Sequence, residues 1–297
     1  MRNNFAVFIL THGRAENLIT LNALQNSGYT GKWYLILDDE DGQRTLYEEK
    51  YGKERIIVFD KKAVYAETDT MDNLNQRCAI IYARNKSWEL AKMLKLDYFL
   101  MLDDDYERFA YRWQSNMKLK TVDISNIDMF FEAMLDFLDK SKARTVAFAQ
   151  GGDLMGGATK NSKFFHGLLR KAMNSFFCKV DRPIEFIGTL NEDVNTYTTL
   201  GSRGVLFFTL TTVSVHQLPT QSVDGGMTEV YKDGTYQKAF YSVMSMPSAV
   251  KISEMSTAHK RMHHRIDWDV CVPKIIADKW RNNEHSGKQD CLQYRQV

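Results

Sequence analysis

Tyr98-Phe99-Leu100-Met101-Leu102-Asp103-Asp104-Asp105 sets five consecutive apolar residues directly before three carboxylates. A continuous apolar run of this length predicts a strand covered on both faces, as at the centre of a parallel sheet. Acids at the carboxyl end of such a strand project into the crevice where open α/β sheets bind their ligands. Carboxylates this close repel one another unless a cation sits between them, and hard oxygen ligands suit Mg²⁺ or Mn²⁺. The alternative is a solvated acidic turn, and the rest of the chain has to decide.

Upstream, Phe5–Leu10, Trp33–Leu37 and Arg55–Phe59 are further apolar runs, the second ending in Asp38-Asp39 and the third in Asp60-Lys61. Leu18, Leu21 and Leu24 recur at helical spacing across Ala15–Asn26, before a Ser27-Gly28 stop. Met71–Lys95 is predicted as one long helix leading into Tyr98. This alternation implies a Rossmann-like, mostly parallel sheet flanked by helices. No GxGxxG follows the first strand, so the nicotinamide and flavin fingerprint is absent. Within the long helix, Leu74, Cys78, Ile81, Asn85 and Trp88 form the stripe that faces the sheet. Asn85 interrupts it, with Arg84 alongside and Arg77 seven residues earlier. Either Asn85 bonds to backbone within that face, or Arg84 and Asn85 reach a phosphate or sugar at the strand ends.

Downstream, Ile124–Lys140 reads as a helix, Thr145–Gln150 as a strand, and Gly151–Gly157 as a turn-rich stretch. Between Lys160 and Arg182, six lysines and arginines face one acid, Asp181, and Phe164, Phe165, Phe176 and Phe177 are interleaved. Such interleaving suits a surface that neutralises phosphates and stacks on bases, with Lys160, Lys163, Arg170 and Lys171 as the candidate contacts. The alternative is a core of phenylalanines with solvated lysines. Val205–Val213 is a further apolar strand, and His216 follows it.

The bulk numbers narrow the field. At 297 residues, 44% hydrophobic and 26% charged, the chain has the composition of a globular α/β protein. A formal charge of +2 excludes a general polycation, so nucleic-acid contact has to come from a local patch. Four prolines and no low-complexity tract leave no obvious linker, which predicts one unit over 1–297. Cys78, Cys178, Cys271 and Cys291 are scattered without a CxxC pair, fitting reduced thiols rather than a zinc site or disulfide framework. Phe5–Leu10 is too short for a signal-peptide core or a membrane span. A soluble, cytoplasmic protein without a membrane partner is expected.

A second acidic cluster lies within Gly188-Thr189-Leu190-Asn191-Glu192-Asp193-Val194-Asn195. One carboxylate set could hold a metal while the other takes a proton from an acceptor hydroxyl. A general base has to lie near the acceptor but off the cation, so the two sets should be separate in sequence. A helix N-cap explains the same residues, and both readings can hold together.

Taken together, Asp103-Asp104-Asp105, Arg84-Asn85 ahead of it and Glu192-Asp193 behind it resemble the GT-A nucleotide-sugar glycosyltransferases. More narrowly, the chain resembles the TET-associated glycosyltransferases of phages, linked to glycosylation of hydroxymethylated pyrimidines in DNA. The segments that carry this are Leu10-Thr11-His12-Gly13-Arg14, Gly28-Tyr29-Thr30-Gly31-Lys32 and Leu37-Asp38-Asp39-Glu40-Asp41. Gly225-Gly226-Met227-Thr228, Gly234-Thr235-Tyr236, His263-His264 and Pro273-Lys274-Ile275-Ile276 extend the likeness. The resemblance implies a GT-A fold, a UDP-sugar donor, Mn²⁺ or Mg²⁺, and DNA containing hydroxymethylated pyrimidines as acceptor. Residues 1–105 would then form the nucleotide-sugar half and 106–297 the acceptor half with a C-terminal elaboration.

The resemblance also assigns roles. Thr11 and Arg14 would line the nucleotide pocket, and Asp39 would contact base or ribose. Arg84, Asn85 and Asp104 would hold nucleotide or donor sugar. Asp103 would approach ribose or metal, and Asp105 would ligate the metal. Asp193 is implied as the base of an inverting reaction, with Glu192 as its substitute. A histidine ligand would be His216 or one of the pair His263-His264, with His264 foremost. In its basic stretch of Lys260, Arg261 and Arg265, that pair is as easily a phosphate-contact surface. Val223–Met227 would form a lid over the donor. Two rival readings remain: a sugar-phosphate nucleotidyltransferase, which usually carries a glycine-rich first loop where this chain has Gly13 alone, and a non-catalytic nucleic-acid-binding domain.

Overall fold

The computed structural model describes residues 1–72, 79–116, 118–150, 175–217, 235–256, 260–273 and 275. The first half runs β1 (Phe5–Leu10), α1 (Ile19–Asn26), β2 (Lys32–Asp38), α2 (Arg44–Tyr51), β3 (Ile56–Phe59), α3 (Lys61–Glu67), α4 (Ile81–Met93) and β4 (Tyr98–Asp103). The second half continues with β5 (Tyr106–Ser115), β6 (Lys118–Asp123), α5 (Ile127–Ser141), β7 (Thr145–Gln150), β8 (Phe176–Lys179), α6 (Glu192–Ser202), β9 (Phe207–Gln217) and α7 (Thr235–Ser245). A small ribbon, β10 (Val250–Ser256) and β11 (Lys260–Ile266), and the short α8 (Trp268–Cys271) close the described chain.

Nine strands make one mixed sheet in the order β3-β2-β1-β4-β8-β7-β9-β5-β6. The β3-β2-β1-β4 block is parallel throughout, as the alternation predicted. β8 and β5 each run antiparallel to both neighbours, while β7 and β9 are parallel to each other. β1 alternates cleanly between two core layers. Phe5, Val7 and Ile9 enter the layer under α1 and α5, and Ala6, Phe8 and Leu10 enter the layer under α4 and α6. β4 does the same, with Leu100 and Leu102 on the first face and Phe99 and Met101 on the second. Burial on both faces is why these strands read as unbroken apolar runs. The same period of two sends Asp103 after Phe99 and Met101, toward α4.

Several boundaries differ from the sequence reading. α4 is described from Ile81; Met71 and Asp72, where the sequence predicts it to begin, are not helical, and Leu74, Arg77 and Cys78 lie outside the described residues. Met71 is left-handed at φ 59° and its N–H donates to Asp69 Oδ1 at 2.9 Å, while Gly188 N–H donates to Asp69 O at 2.8 Å. The buried stripe of α4 is Ile81, Arg84, Ser87, Trp88 and Ala91, so Arg84, not Asn85, lies at its centre. α1 starts at Ile19, since Ala15 N–H is taken by Gln43 Oε1 at 2.9 Å in a non-helical loop. The β5–β6 hairpin went unpredicted, although Phe109, Tyr111 and Trp113 keep the period of two that announces a strand. Among the described residues, no helix is long and apolar enough to cross a membrane.

Candidate active site

β1 and β4 are neighbours whose outer partners lie on opposite sides, and at their carboxyl ends Leu10 pairs with Asp103. Strand order changes direction here, the position at which open α/β sheets bind ligands. Thr11 and Arg14 leave β1 and both grip Asp104: Thr11 Oγ1 donates to Oδ2 at 2.7 Å and Arg14 Nη1 to Oδ1 at 2.6 Å. With the Thr11 proton committed, the Tyr47 hydroxyl donates to Thr11 Oγ1 at 2.9 Å and accepts Arg14 N–H at 2.8 Å. Burial pushes the Asp104 carboxyl up, and Arg14 and Thr11 oppose it. Burial likewise pushes the Tyr47 phenol up to about 12, so it stays a donor.

The strand end of β2 forms a second group. His12 Nδ1 lies 2.8 Å from Asp38 Oδ2, and buried Lys61 donates to the same oxygen at 3.2 Å. Asp39 is exposed and accepts Lys61 N–H at 2.8 Å, leaving its carboxylate at the rim. Asp41 accepts Gly13 N–H at 2.9 Å, where Gly13 takes φ 68° with nothing near a Cβ position. Tyr47, Asp38, Asp41 and Lys61 were not named as site residues from sequence, although the acids and Lys61 stand at strand ends.

Arg84 joins the two acidic motifs. Its guanidinium, 1% exposed, donates from Nη2 to Asp103 Oδ1 at 3.0 Å and from Nη1 to Glu192 Oε1. The Phe176 and Phe186 rings lie 4.9 and 5.7 Å from its centre. Burial disfavours the Arg84 charge, but Glu192, Asp103 and Asp193 outweigh that and hold its pKa above the ordinary arginine value. Burial pushes Asp103 up to about 7; Asp105 and Glu192 add to this and Arg84 holds it back. Burial also raises Glu192, with Arg84 opposing. Both motifs therefore commit one acid each to Arg84.

The remaining acids are placed differently. Asp105 is half-buried and accepts two bonds from Gln217 Nε2, both at 3.0 Å, a neutral donor that leaves its charge uncompensated. Asp193 is half-buried in the first turn of α6, where the helix dipole favours an anion. Asn191 enters that helix left-handed at φ 53°, its amide anchored to Lys238 O at 2.6 Å and Ser242 Oγ at 3.1 Å on α7.

Asn85 has a structural role here. Its amide donates to Phe186 O at 3.0 Å and accepts Phe186 N–H at 2.8 Å, so both polar atoms serve the segment that leads to Asp193. His216 is separated from the acids. It neighbours Gln217 on β9, so it projects from the opposite face, and burial with Arg108 and Arg112 lowers its pKa. His264 sits across from Ile252 in the β10–β11 ribbon. Phe176 and Phe177 of the basic-aromatic stretch are fully buried core residues. Lys160, Lys163, Arg170, Lys171 and the Val223–Met227 stretch lie outside the described residues.

Among the described residues, no three His, Cys, Asp or Glu side chains gather to hold a metal. Asp103 and Asp105 nevertheless fit one. Two like-charged carboxylates, one with its charge disfavoured by burial, supply hard oxygens, and Mg²⁺ commonly takes one or two carboxylates and completes its shell with phosphates and water.

A mixed α/β sheet whose parallel block carries acids at its switch point is the arrangement in which open α/β proteins bind ligands. The chain belongs to the TET-associated glycosyltransferase family, whose profile matches residues 5–226, and it is a glycosyltransferase. Similar solved structures include glucosyl-3-phosphoglycerate synthase from Mycobacterium tuberculosis with Mg²⁺ and UDP, at 9% identity and TM-score 0.45, covering 90% of this chain and 92% of that one. The same enzyme with Mn²⁺, UDP and phosphoglyceric acid matches at 10% identity and TM-score 0.44, covering 90% and 91%. No curated protein matches the sequence.

Proposed function

We propose that this glycosyltransferase moves a sugar from a UDP-sugar to the hydroxyl of a 5-hydroxymethylpyrimidine in phage DNA. The observation that supports the reading is the Arg84 bridge, which ties Asp103 of the first acidic motif to Glu192 of the second. Family membership supports the transfer of a sugar. Residues 1–105 form the donor half in this reading and 106–297 the acceptor half.

Thr11, Arg14 and the exposed Asp39 line the nucleotide side, with Asp104 and Tyr47 fixing the first two. Asp103 and Asp105 would hold the divalent cation, which supplies positive charge to the diphosphate leaving group. Gln217 orients Asp105 without neutralising it. Glu192 is committed to Arg84, so Asp193 is the acid left to accept the proton of the attacking hydroxyl. Preorganised charge of this kind is usually the largest catalytic term. Attack opposite the leaving diphosphate inverts the anomeric centre.

The test incubates the protein with Mn²⁺, a panel of UDP-sugars and duplex DNA with or without hydroxymethylated pyrimidines, then weighs the digested nucleosides. A hexose- or N-acetylhexosamine-sized gain only on the hydroxymethylated base is expected. UDP release with no modified nucleoside would move the acceptor away from DNA. A product that keeps the donor's anomeric configuration would remove direct displacement by an Asp193-activated hydroxyl.

A further inference from the structure

The β10–β11 ribbon places Lys251 directly opposite Arg265, and Ser253 opposite His263. Residues paired across strands share a face, so Lys251 and Arg265 project from one side, and Val250 and Ile266 from the other. Val250 is fully buried and Ile266 packs on the core layer under α4, so the Lys251–Arg265 side faces outward. Both cations are exposed. Like charges directly opposite one another destabilise a strand pair, yet among the described residues neither has an ion-pair partner. Glu254 belongs to the opposite side, and Asp267 is committed to capping Asp269 N–H at 3.0 Å.

The ribbon is also tied to the acceptor-side acid. α7 packs against both of its strands and against α6, and the Asn191 amide joins α6 to α7 through Lys238 O and Ser242 Oγ. A two-stranded antiparallel ribbon is a shape that the DNA major groove admits, and the C5 substituent of a pyrimidine lies in that groove. We propose that the outward face of β10–β11 docks the acceptor DNA, with Lys251 and Arg265 on its backbone phosphates. This rests on the DNA-acceptor reading above.

Each phosphate contact contributes about 0.9 to the slope of log affinity against log salt. The experiment measures binding of the full chain to a hydroxymethylated duplex across a salt series, with Lys251→Gln, Arg265→Gln and the double variant. Each single variant is expected to flatten the slope by about 1 and the double by about 2. The melting temperature of the double variant should stay level or rise, because a repulsive pair is relieved. An unchanged slope in the double variant would overturn the ribbon and leave the DNA acceptor standing. A clear fall in melting temperature would overturn it too, by showing the pair to be stabilising. No DNA binding by the wild type at low salt would remove both readings. A flattened slope without sugar on the DNA would keep the ribbon and remove the acceptor assignment.

Discussion

The acidic motifs at the end of β4 and the start of α6 have the same division of labour but different surroundings. In each, one acid is tied to the buried guanidinium of Arg84: Asp103 in the first, Glu192 in the second. The partner acid is half-buried in each, Asp105 beside a neutral amide and Asp193 at a helix N-terminus. What differs is the backbone behind them. Asp103-Asp104-Asp105 extends a fully buried strand, whereas Glu192-Asp193 hangs on a loop stapled by Asn85, Asp69 and Asp72. The structure thus builds the first motif by sheet packing and the second by polar crosslinks.

The largest effects should separate the two outer acids. Asp193→Asn is expected to lower kcat by about 10²–10⁴-fold, the usual range for losing a general base, with Mn²⁺-dependent UDP affinity retained. Asp105→Asn is expected to lose kcat and Mn²⁺-dependent UDP affinity together. Titration calorimetry with UDP, run beside steady-state rates, tells the two apart. If Asp193→Asn also lost UDP binding, the assignment of one motif to metal and the other to base would be wrong.

The Arg84 clamp between the inner acids answers to stability. Removing Arg84 leaves Asp103 and Glu192 buried without their shared cation, and breaking a buried pair on one side costs about 3–5 kcal/mol. Arg84→Met should therefore unfold at clearly lower urea than the wild type. Glu192→Gln keeps the shape and one oxygen, so a smaller loss is expected. Equal urea midpoints for Arg84→Met and wild type would show that the clamp does not hold the motifs together.

Much of the first motif was legible in the sequence, and much of the second was not. Five apolar residues before Asp103 announce a strand because every one of them is buried, and sheet packing leaves little freedom thereafter. Arg84 was visible as a polar residue beside an apolar stripe, but its partner Glu192 lies 108 residues away, a distance that no periodicity reports. Asn85 was the harder case, since a buried amide serves a ligand or a backbone equally well until its partner is known. Gln217 escaped notice because β9 runs to Gln217 rather than stopping at Val213. The helix expected from Met71 does not begin there, because Met71 is left-handed and its N–H is bonded to the Asp69 side chain.

Asn85 sharpens the contrast at intermediate size. Asn85→Ala strips both bonds from the Phe186 backbone, and an unmet buried polar group costs about 1–3 kcal/mol. The urea midpoint should fall while the donor KM stays near that of the wild type. A raised donor KM at unchanged stability would return Asn85 to the ligand.

The smallest effect concerns the His12–Asp38 pair at the strand end of β2. The Asp38 hydrogen bond raises the His12 pKa above its ordinary value, against the opposing pull of burial and Lys61. Burial would raise Asp38, but His12 and Lys61 outweigh it and hold the carboxyl below its ordinary value. The His12 contribution is complete below the ordinary histidine pKa of about 6.5 and is lost as pH rises through the raised folded value. The Asp38 contribution is complete above the ordinary carboxylate value near 4 and is lost as pH falls through the depressed one. The pair therefore stabilises most between about pH 4 and 6.5, and the exposure of His12 keeps the gain small. Melting temperatures of wild type and His12→Asn should differ most near pH 5–6 and converge as the imidazole deprotonates. A gap that widened with rising pH would mean that neutral His12 is the form the fold prefers, and that Asp38 is held by Lys61 alone.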